Sequence, residues 1–344
     1  MAKYIGKRLL RSLLTLLIII TIVFSLLRLM PIEGYFENFE KLSTAQINVG
    51  LRQLGLKDPL PVQMINFWKG VFKGDWGVSH KYRVGAPVLD IISEKVPVSM
   101  KMGLVALGIA LLLGLPLGIF MAYCSRTSTR SNNEKGLAWF KALLNMRFRD
   151  ALVAIYTKLG DMMGMMFVVL VEGIPAAIYH LLIQFYGTKA MGIDMFFSAA
   201  KPVTWILPIF SLALGNIAYY AMWLRRYMVD ENNKDYVRLA RAKGVSGGKI
   251  FSSHVFRNAF VPLAQFIPTS IILTLMGSLY VESLYSIPGM GGLLVQAIQR
   301  QDNTLVQALV LIYAAISILG LLVGDILMAL LDPRIALGKK EGDR

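Results

Sequence analysis

The sequence is poor in the residues that build most soluble active sites. It has one cysteine, Cys124, and three histidines, His80, His180 and His254, in 344 residues. A single thiol excludes a disulfide framework and a cysteine-built metal site. The histidines are dispersed and lack metal-ligand spacing, so no metal site is expected. No G-x-x-x-x-G-K-[ST] phosphate loop, H-E-x-x-H pair or nucleophile elbow occurs. The chain therefore carries no nucleotide-hydrolysing motif of its own, and no catalytic residue is assigned. Acidic residues are also scarce, 21 Asp and Glu against 36 Lys and Arg, for a net charge of +15. No basic, aromatic-interleaved soluble domain accompanies that charge, so nucleic acid is not the expected partner.

What the sequence does contain is apolar residues, 56% of the total, with a mean hydropathy of +0.57. They fall in long uncharged runs, which define an all-α integral membrane protein. The first run, 9–30, is too long for a signal h-region and has no small-residue cleavage site after it, so it reads as an uncleaved span. Further spans are expected near 97–123, 162–187, 203–224, 260–284 and 305–331. Each offers about 20 or more mainly apolar residues, enough to cross a hydrocarbon core. Helices are expected because unpaired backbone groups in lipid cost several kcal/mol each.

Six spans place both termini on one side. Basic residues mark that side as cytoplasmic: segments 1–11, 124–160, 225–259 and 332–344 hold about 23 of the 36 Lys and Arg, whereas outer loops 188–202 and 285–304 hold about 3. The third outer segment, 31–96, carries about 8 and is long enough to escape that rule. The organisation is thus a tail and first helix at 1–30, an extracytoplasmic loop at 31–96, a five-helix core at 97–335 and a cytoplasmic tail at 336–344. Within the core lie a polar-then-basic insert at 126–158 and a basic loop at 234–259.

The outer loop reads as short helices at 62–72 and 88–95, separated by a turn at Gly74-Asp75-Trp76-Gly77. Among charges within spans, Glu172 stands two residues before Ile174-Pro175, where the proline frees a carbonyl and kinks the helix. Glu282 ends the fifth span. Arg28, Lys101 and Asp325 lie near span ends, where they reach polar surroundings.

The densest information is in 235–262, DYVRLARAKGVSGGKIFSSHVFRNAFVP. A helix is expected over 234–243, stopped at Gly244, which takes the left-handed conformation that closes a helix. A second helical run follows over 248–261 and ends at Pro262. Two short helices joined at a glycine make a knob outside the bilayer, and Ala240 and Ala242 give it a small-residue face, with Ala240 expected to allow close approach by another protein.

This pattern, D-Y-V-R-x-A-R-A-K-G followed by H-x-x-R-N-A, resembles the coupling loop of ABC importer permeases, specifically the dipeptide/oligopeptide/nickel branch of the binding-protein-dependent inner-membrane components. Where the wider superfamily has E-A-A-x-x-x-G, this chain has Arg238, Leu239, Ala240 and Gly244. The segment from Val281 to Gly291 resembles the family's V-E-x-x-F-x-x-P-G-x-G, and 54–88 resembles its L-G-L-x-x-P-L-x-x-Q, G-D-x-G-x-S and P-V. The insert 126–158 stands apart from the pattern.

The resemblance implies a type I ABC importer permease (MetI-like) fold in a bacterial inner membrane, with six transmembrane helices and cytoplasmic termini. It implies a peptide substrate and half of a translocation pathway. The expected partners are a homologous second permease, two cytoplasmic ATPase subunits, an extracytoplasmic substrate-binding protein and the lipid bilayer. ATP and Mg are bound by the ATPases, and no cofactor is expected in this chain. ATPase coupling is assigned to Asp235, Tyr236, Arg238, Ala240, Arg241, Ala242, Gly244, His254 and Arg257, and the substrate pathway to Glu172 and Glu282. Related members also handle nickel chelates, glutathione and oligosaccharides. An ion-gradient-driven secondary transporter is the rival class. It requires proton-relay residues within the spans and an inverted repeat, and here only Glu172 is well placed and no repeat is evident.

Overall fold

The computed structural model describes residues 2–29, 31–36, 39–131 and 148–331. Its elements, in order, are α1 (Ala2–Leu27), α2 (Thr44–Gln53), α3 (Leu60–Lys73), α4 (Val88–Ser131), α5 (Phe148–Gly173), α6 (Ala176–Met191), α7 (Ile206–Asn232), α8 (Asp235–Ala242), α9 (Arg257–Leu273), α10 (Leu279–Leu284), α11 (Met290–Gln299) and α12 (Asn303–Leu331). No strand occurs among the described residues; Val78 and Pro87 form one isolated bridge. Of the predicted insert at 126–158, residues 132–147 lie outside the described residues, and so do 332–344 of the C-terminal tail.

Among the described residues, five helical segments are long and apolar enough to span a membrane: Gly6–Leu27, Val88–Ser125, Pro202–Asn232, Gly247–Leu284 and Asn303–Met328. The third predicted span, 162–187, is not a single rod. Ile155–Gly173 and Ala176–Met191 meet at Ile174-Pro175 with a bend of 101°. The expected kink is a full break, because Pro175 takes an extended conformation (φ −50°, ψ 128°) and starts α6 as its cap. Two other expectations are corrected. The helix foreseen over 88–95 is the first part of α4, which runs on through Pro97. The segment 285–304, expected as loop, contains α11, whose Met290, Leu293, Leu294 and Ala297 are buried.

The chain divides into two compact units. Among the described residues, one lies within 1–103 and 269–326, the other within 104–131, 148–268 and 327–331. In the first, Leu27, Val88, Ile91 and Ile92 pack with the buried face of α11 and with Leu305 and Leu309 of α12. Arg8 of α1 pairs with Asp325 of α12, so this intraspan carboxylate has a cation. Asp302 caps α12, taking the Leu305 N–H at 3.2 Å on one oxygen. Its other oxygen accepts from Ser79 Oγ at 2.6 Å and from the backbone N–H groups of His80, Lys81 and Tyr82 at 3.0–3.1 Å. This fully buried carboxylate thereby holds the end of the outer loop.

The second unit is built around close helix approach. Its core joins Ala106, Leu107 and Ala110 of α4 to Ala213, Ile217, Tyr220 and Leu224 of α7. Gly114 and Gly118 sit four apart on α4. A Cβ on either would lie 2.8 Å from the carbonyl oxygen of Ile217 or Ala221 of α7. Gly160 and Gly164 of α5, also four apart, make room for the side chains of Phe120 and Met121 of α4. In an apolar solvent helices gain little from apolar burial, so backbone proximity allowed by small residues drives association. Arg225 of α7 and Asp161 of α5 add a two-pronged ion pair at 2.7 and 2.8 Å.

Gly118→Val should cost about 1–3 kcal/mol through overpacking and lower the unfolding midpoint of the purified chain. Gly108→Ala, whose added Cβ meets nothing within 4 Å, should leave the midpoint unchanged or raise it. Equal effects of the two would contradict the close-approach role of Gly118.

Candidate coupling site

The basic loop forms a knob anchored on its own core. Helix α7 ends at Asn232, Lys234 is extended, and Asp235 opens α8. An acidic residue in the first turn and Arg241 in the last match the helix dipole. Val237 and Ala240 face inward, at 0% and 9% exposure, against Leu224 and Met228 of α7 and Ile250 and Val255 beyond. The expectation that Ala240 forms the docking face is therefore corrected: at a spacing of three from Val237 it shares the buried side of α8. The outward side carries Asp235, Arg238, Leu239, Ala242 and Lys243, all exposed.

Gly244 closes the helix as expected, with φ +77°. The Gly244 N–H donates to Arg241 O at 3.0 Å, and the Val245 N–H donates to Ala240 O at 3.2 Å. Those two bonds complete a Schellman cap, and Val245 packs on the cluster containing Ala240. Nothing lies within 4 Å of a Cβ at Gly244, so the requirement for glycine is conformational and not steric.

Tyr236 clasps the knob to the neighbouring helices. Its hydroxyl donates to Glu231 of α7, accepts from Asn258 Nδ2 of α9 at 2.9 Å and lies 3.1 Å from His254 O. Burial, together with the Glu231 carboxylate, pushes its phenol up to about 12, despite the Asn258 bond that acts the other way. A raised value means the clasp is complete below the ordinary tyrosine range and is lost as pH rises towards 12. Arg241 Nη2 donates to Asn232 Oδ1, returning the end of α8 to the end of α7. Among the described residues Arg238 pairs with Asp235 alone, at 3.5 Å, with its side chain 70% exposed. An exposed pair of this kind is worth about 0–1 kcal/mol, so Arg238 is available to a partner. Arg257 is exposed and His254 half-buried.

The second helix of the knob does not end at Pro262. A turn at Gly247–Lys249 leads into a π-helical stretch, Ile250–Phe256, and then α9, which contains both Pro262 and Pro268. In apolar surroundings one missing N–H does not end a helix, because unwinding would expose more unpaired groups. The wider winding puts Ile250 and Val255 together on the core, and Phe251 meets Tyr123 edge-on at 5.8 Å. Hence the knob is joined directly to the fifth span.

The two acidic residues assigned to the pathway lie in different units. Glu172 is exposed in the last turn of α5, at the break before α6. Glu282 is 2% exposed and has four donors. Ser99 Oγ donates at 2.7 Å and the Ser278 N–H at 3.2 Å to one oxygen, while the Gly291 and Gly292 N–H groups donate at 2.7 and 3.1 Å to the other. The last two are first-turn amides of α11, so the carboxylate sits at a helix N-terminus. Cβ atoms at Gly277 and Gly289 would fall 2.2 and 2.4 Å from it, which explains glycine at both. Sequence reasoning missed Asp302 and the two Gly-x-x-x-Gly pairs. Asp302-Asn303 before an apolar run and glycines four apart were their signals.

The model of the family "Binding-protein-dependent transport system inner membrane component" matches residues 151–337. Its companion, "Binding-prot-dependent transport system membrane comp, N-term", matches residues 1–103. The chain belongs to this family of multi-pass inner-membrane permease components, which has the type I ABC importer permease fold. It is 31% identical over 344 residues to the "Dipeptide transport system permease protein DppB" of Lactococcus lactis subsp. cremoris, covering 98% of this chain and 100% of that protein. The protein of the same name from Bacillus subtilis is 32% identical over 340 residues, covering 99% and 100%. The "Oligopeptide transport system permease protein OppB" of Haemophilus influenzae is 29% identical over 335 residues, covering 97% and 99%.

Gly244→Asn should retain the knob, since asparagine tolerates the left-handed region. Gly244→Val should cost roughly 1–2 kcal/mol and expose the knob to proteolysis. Protection of both variants to the same degree would contradict the conformational role of Gly244.

Proposed function

We propose that this chain is the permease subunit of an ATP-driven importer of peptides, contributing half of the translocation pathway. The observation that carries this reading is the knob: a helix fixed on its inner side that presents Arg238, Leu239 and Ala242 outward, in a chain of this family. Full-length similarity to proteins named dipeptide and oligopeptide permeases supports the substrate class.

In this reading a homologous second permease completes the pathway, and two cytoplasmic ATPases bind ATP and Mg. An extracytoplasmic binding protein delivers the substrate. The outward stripe of α8 enters a cleft on an ATPase. Because Tyr236 and Arg241 tie α8 to both neighbours, movement of the cleft is passed to α7 and α9 and not absorbed by the loop. ATP-driven approach of the ATPases opens the pathway outward, and hydrolysis resets it. Each ligand shifts that equilibrium only by its unequal affinity for the two states. Glu172, at the α5–α6 break, and Glu282, at the end of the fifth span, are the pathway residues of the proposal. Glu282 acts there by holding the α10–α11 turn, since its oxygens already accept four bonds.

Arg238→Glu tests the docking. It alters an exposed side chain without touching the core, so the protein should insert normally. Its association with the ATPases should fall about 10-fold or more and become sensitive to salt, since exposed charges are screened over about 10 Å at 0.1 M. Peptide uptake and peptide-stimulated ATP hydrolysis should fall together. Full coupled uptake by this variant would contradict the proposal.

A further inference from the structure

Arg28, near the outer end of α1, has no acidic partner among the described residues. Its guanidinium lies 4.5 Å from the Phe24 ring centre and 5.7 Å from that of Tyr35, and Nη1 donates to the Tyr35 hydroxyl at 3.0 Å. Its Nε is buried and unpartnered. Arg28 lines a cavity of about 270 Å³ within the first unit, together with Gln63, Asn66, Asp75 and Gln307. Gln63 is 8% exposed, and its NH2 group donates to Leu56 O at 3.1 Å and Asp58 O at 2.7 Å. Those bonds fix the orientation of the amide and leave Oε1 without a partner. Gln307 Nε2 is also buried and unpartnered. Asp75 brings an exposed carboxylate, one oxygen of which accepts from the Gly77 N–H at 3.1 Å.

A second feature joins this chamber. Phe67 and Gln307 also line a narrow apolar crease formed by Ile20 and Val23 of α1 and by Val310 and Ala314 of α12. Both helices are apolar enough to span the bilayer. A chamber with one cation, one anion and unpaired amides thus shares Phe67 and Gln307 with a narrow apolar crease between two spans.

We propose that chamber and crease together bind one phospholipid with a zwitterionic, amine-bearing headgroup. The phosphate faces Arg28, the ammonium faces Asp75 and Gln63, and an acyl chain lies along the crease. Size favours a headgroup over a peptide: pockets for drug-sized ligands run to about 300–1,000 Å³, and a peptide would leave the crease unused. Buried polar atoms left unpaired are costly, so a ligand that pairs them gains affinity. The presence of both charge signs disfavours a purely anionic lipid.

The test is lipid binding by the full-length chain, purified in detergent, stripped of lipid and titrated with phosphatidylethanolamine or phosphatidylglycerol. Native mass spectrometry counts the bound lipid. One phosphatidylethanolamine per chain is expected at concentrations where phosphatidylglycerol does not bind. Arg28→Gln and Ala314→Phe should each weaken binding 10-fold or more, and Asp75→Asn should erase the preference between the lipids. Lys69→Gln, exposed on α3 and outside the chamber, should change nothing. If Arg28→Gln does not fold, Ala314→Phe and the exposed Asp75→Asn decide the matter. Equal binding of the two lipids by wild type, equal phosphatidylethanolamine binding by all variants, or displacement of the lipid by a tripeptide would each overturn the proposal.

Discussion

A polar backbone group left unpaired in hydrocarbon costs several kcal/mol, and every break in a membrane helix creates such groups. The organisation of this chain follows from how those breaks are satisfied. At the end of the fifth span the helix stops at Gly277, and Glu282 takes up the first-turn amides of α11. Before the sixth span, Asp302 gathers four donors from the outer loop and caps α12 as well. Buried carboxylates without a cation are usually unfavourable. Here the backbone amides replace the missing water, and each acid pins two segments together. On the basic side the end of α8 is closed without a carboxylate. The Schellman cap at Gly244 pairs the loose carbonyls of α8 within the chain itself.

In the proposed function that difference matters. A knob whose backbone needs are met internally has an outward face free for another protein. The inner face is committed: Val237 and Ala240 pack on the α7 core, and Tyr236 and Arg241 hold the flanks. The outer face keeps an almost unpaired arginine, an exposed leucine and a small alanine. Charge gives such a face orientation, leucine gives it area, and alanine permits close approach. A rigid connector suits a device that transmits displacement, since a flexible loop would dissipate the motion of its partner. The π-helical stretch between knob and fifth span belongs to the same connection.

Legibility in the sequence followed the range of the interaction. Long apolar runs announced the spans, and Gly244 announced the end of α8, because both depend on neighbouring residues. The V-E-x-x-Y-x-x-P-G segment was recognisable, yet its reason was not: Glu282 meets Ser99, which is 183 positions away. Asp302 had the signature of a helix cap, while its hold on 79–82 depended on contacts more than 200 positions distant. Prolines misled in both directions. Pro97 and Pro262 lie inside helices that continue through them, whereas Pro175 marks a 101° break. Local propensity does not tell these cases apart. Ala240 was placed on the wrong side of its helix because small size was read as exposure, when its spacing from Val237 already put it on the buried face.

The central claim is that the outward stripe of α8 meets an ATPase. The most direct measurement places a photocrosslinking amino acid at Leu239 in the assembled transporter, with the same residue at Phe72 of the outer helix α3 as a comparison, both side chains being exposed. Illumination should join the Leu239 probe to an ATPase subunit, in a yield that changes with bound nucleotide, and should give no such product from Phe72. An intact transporter in which the Leu239 probe captures only lipid or the second permease would contradict the account.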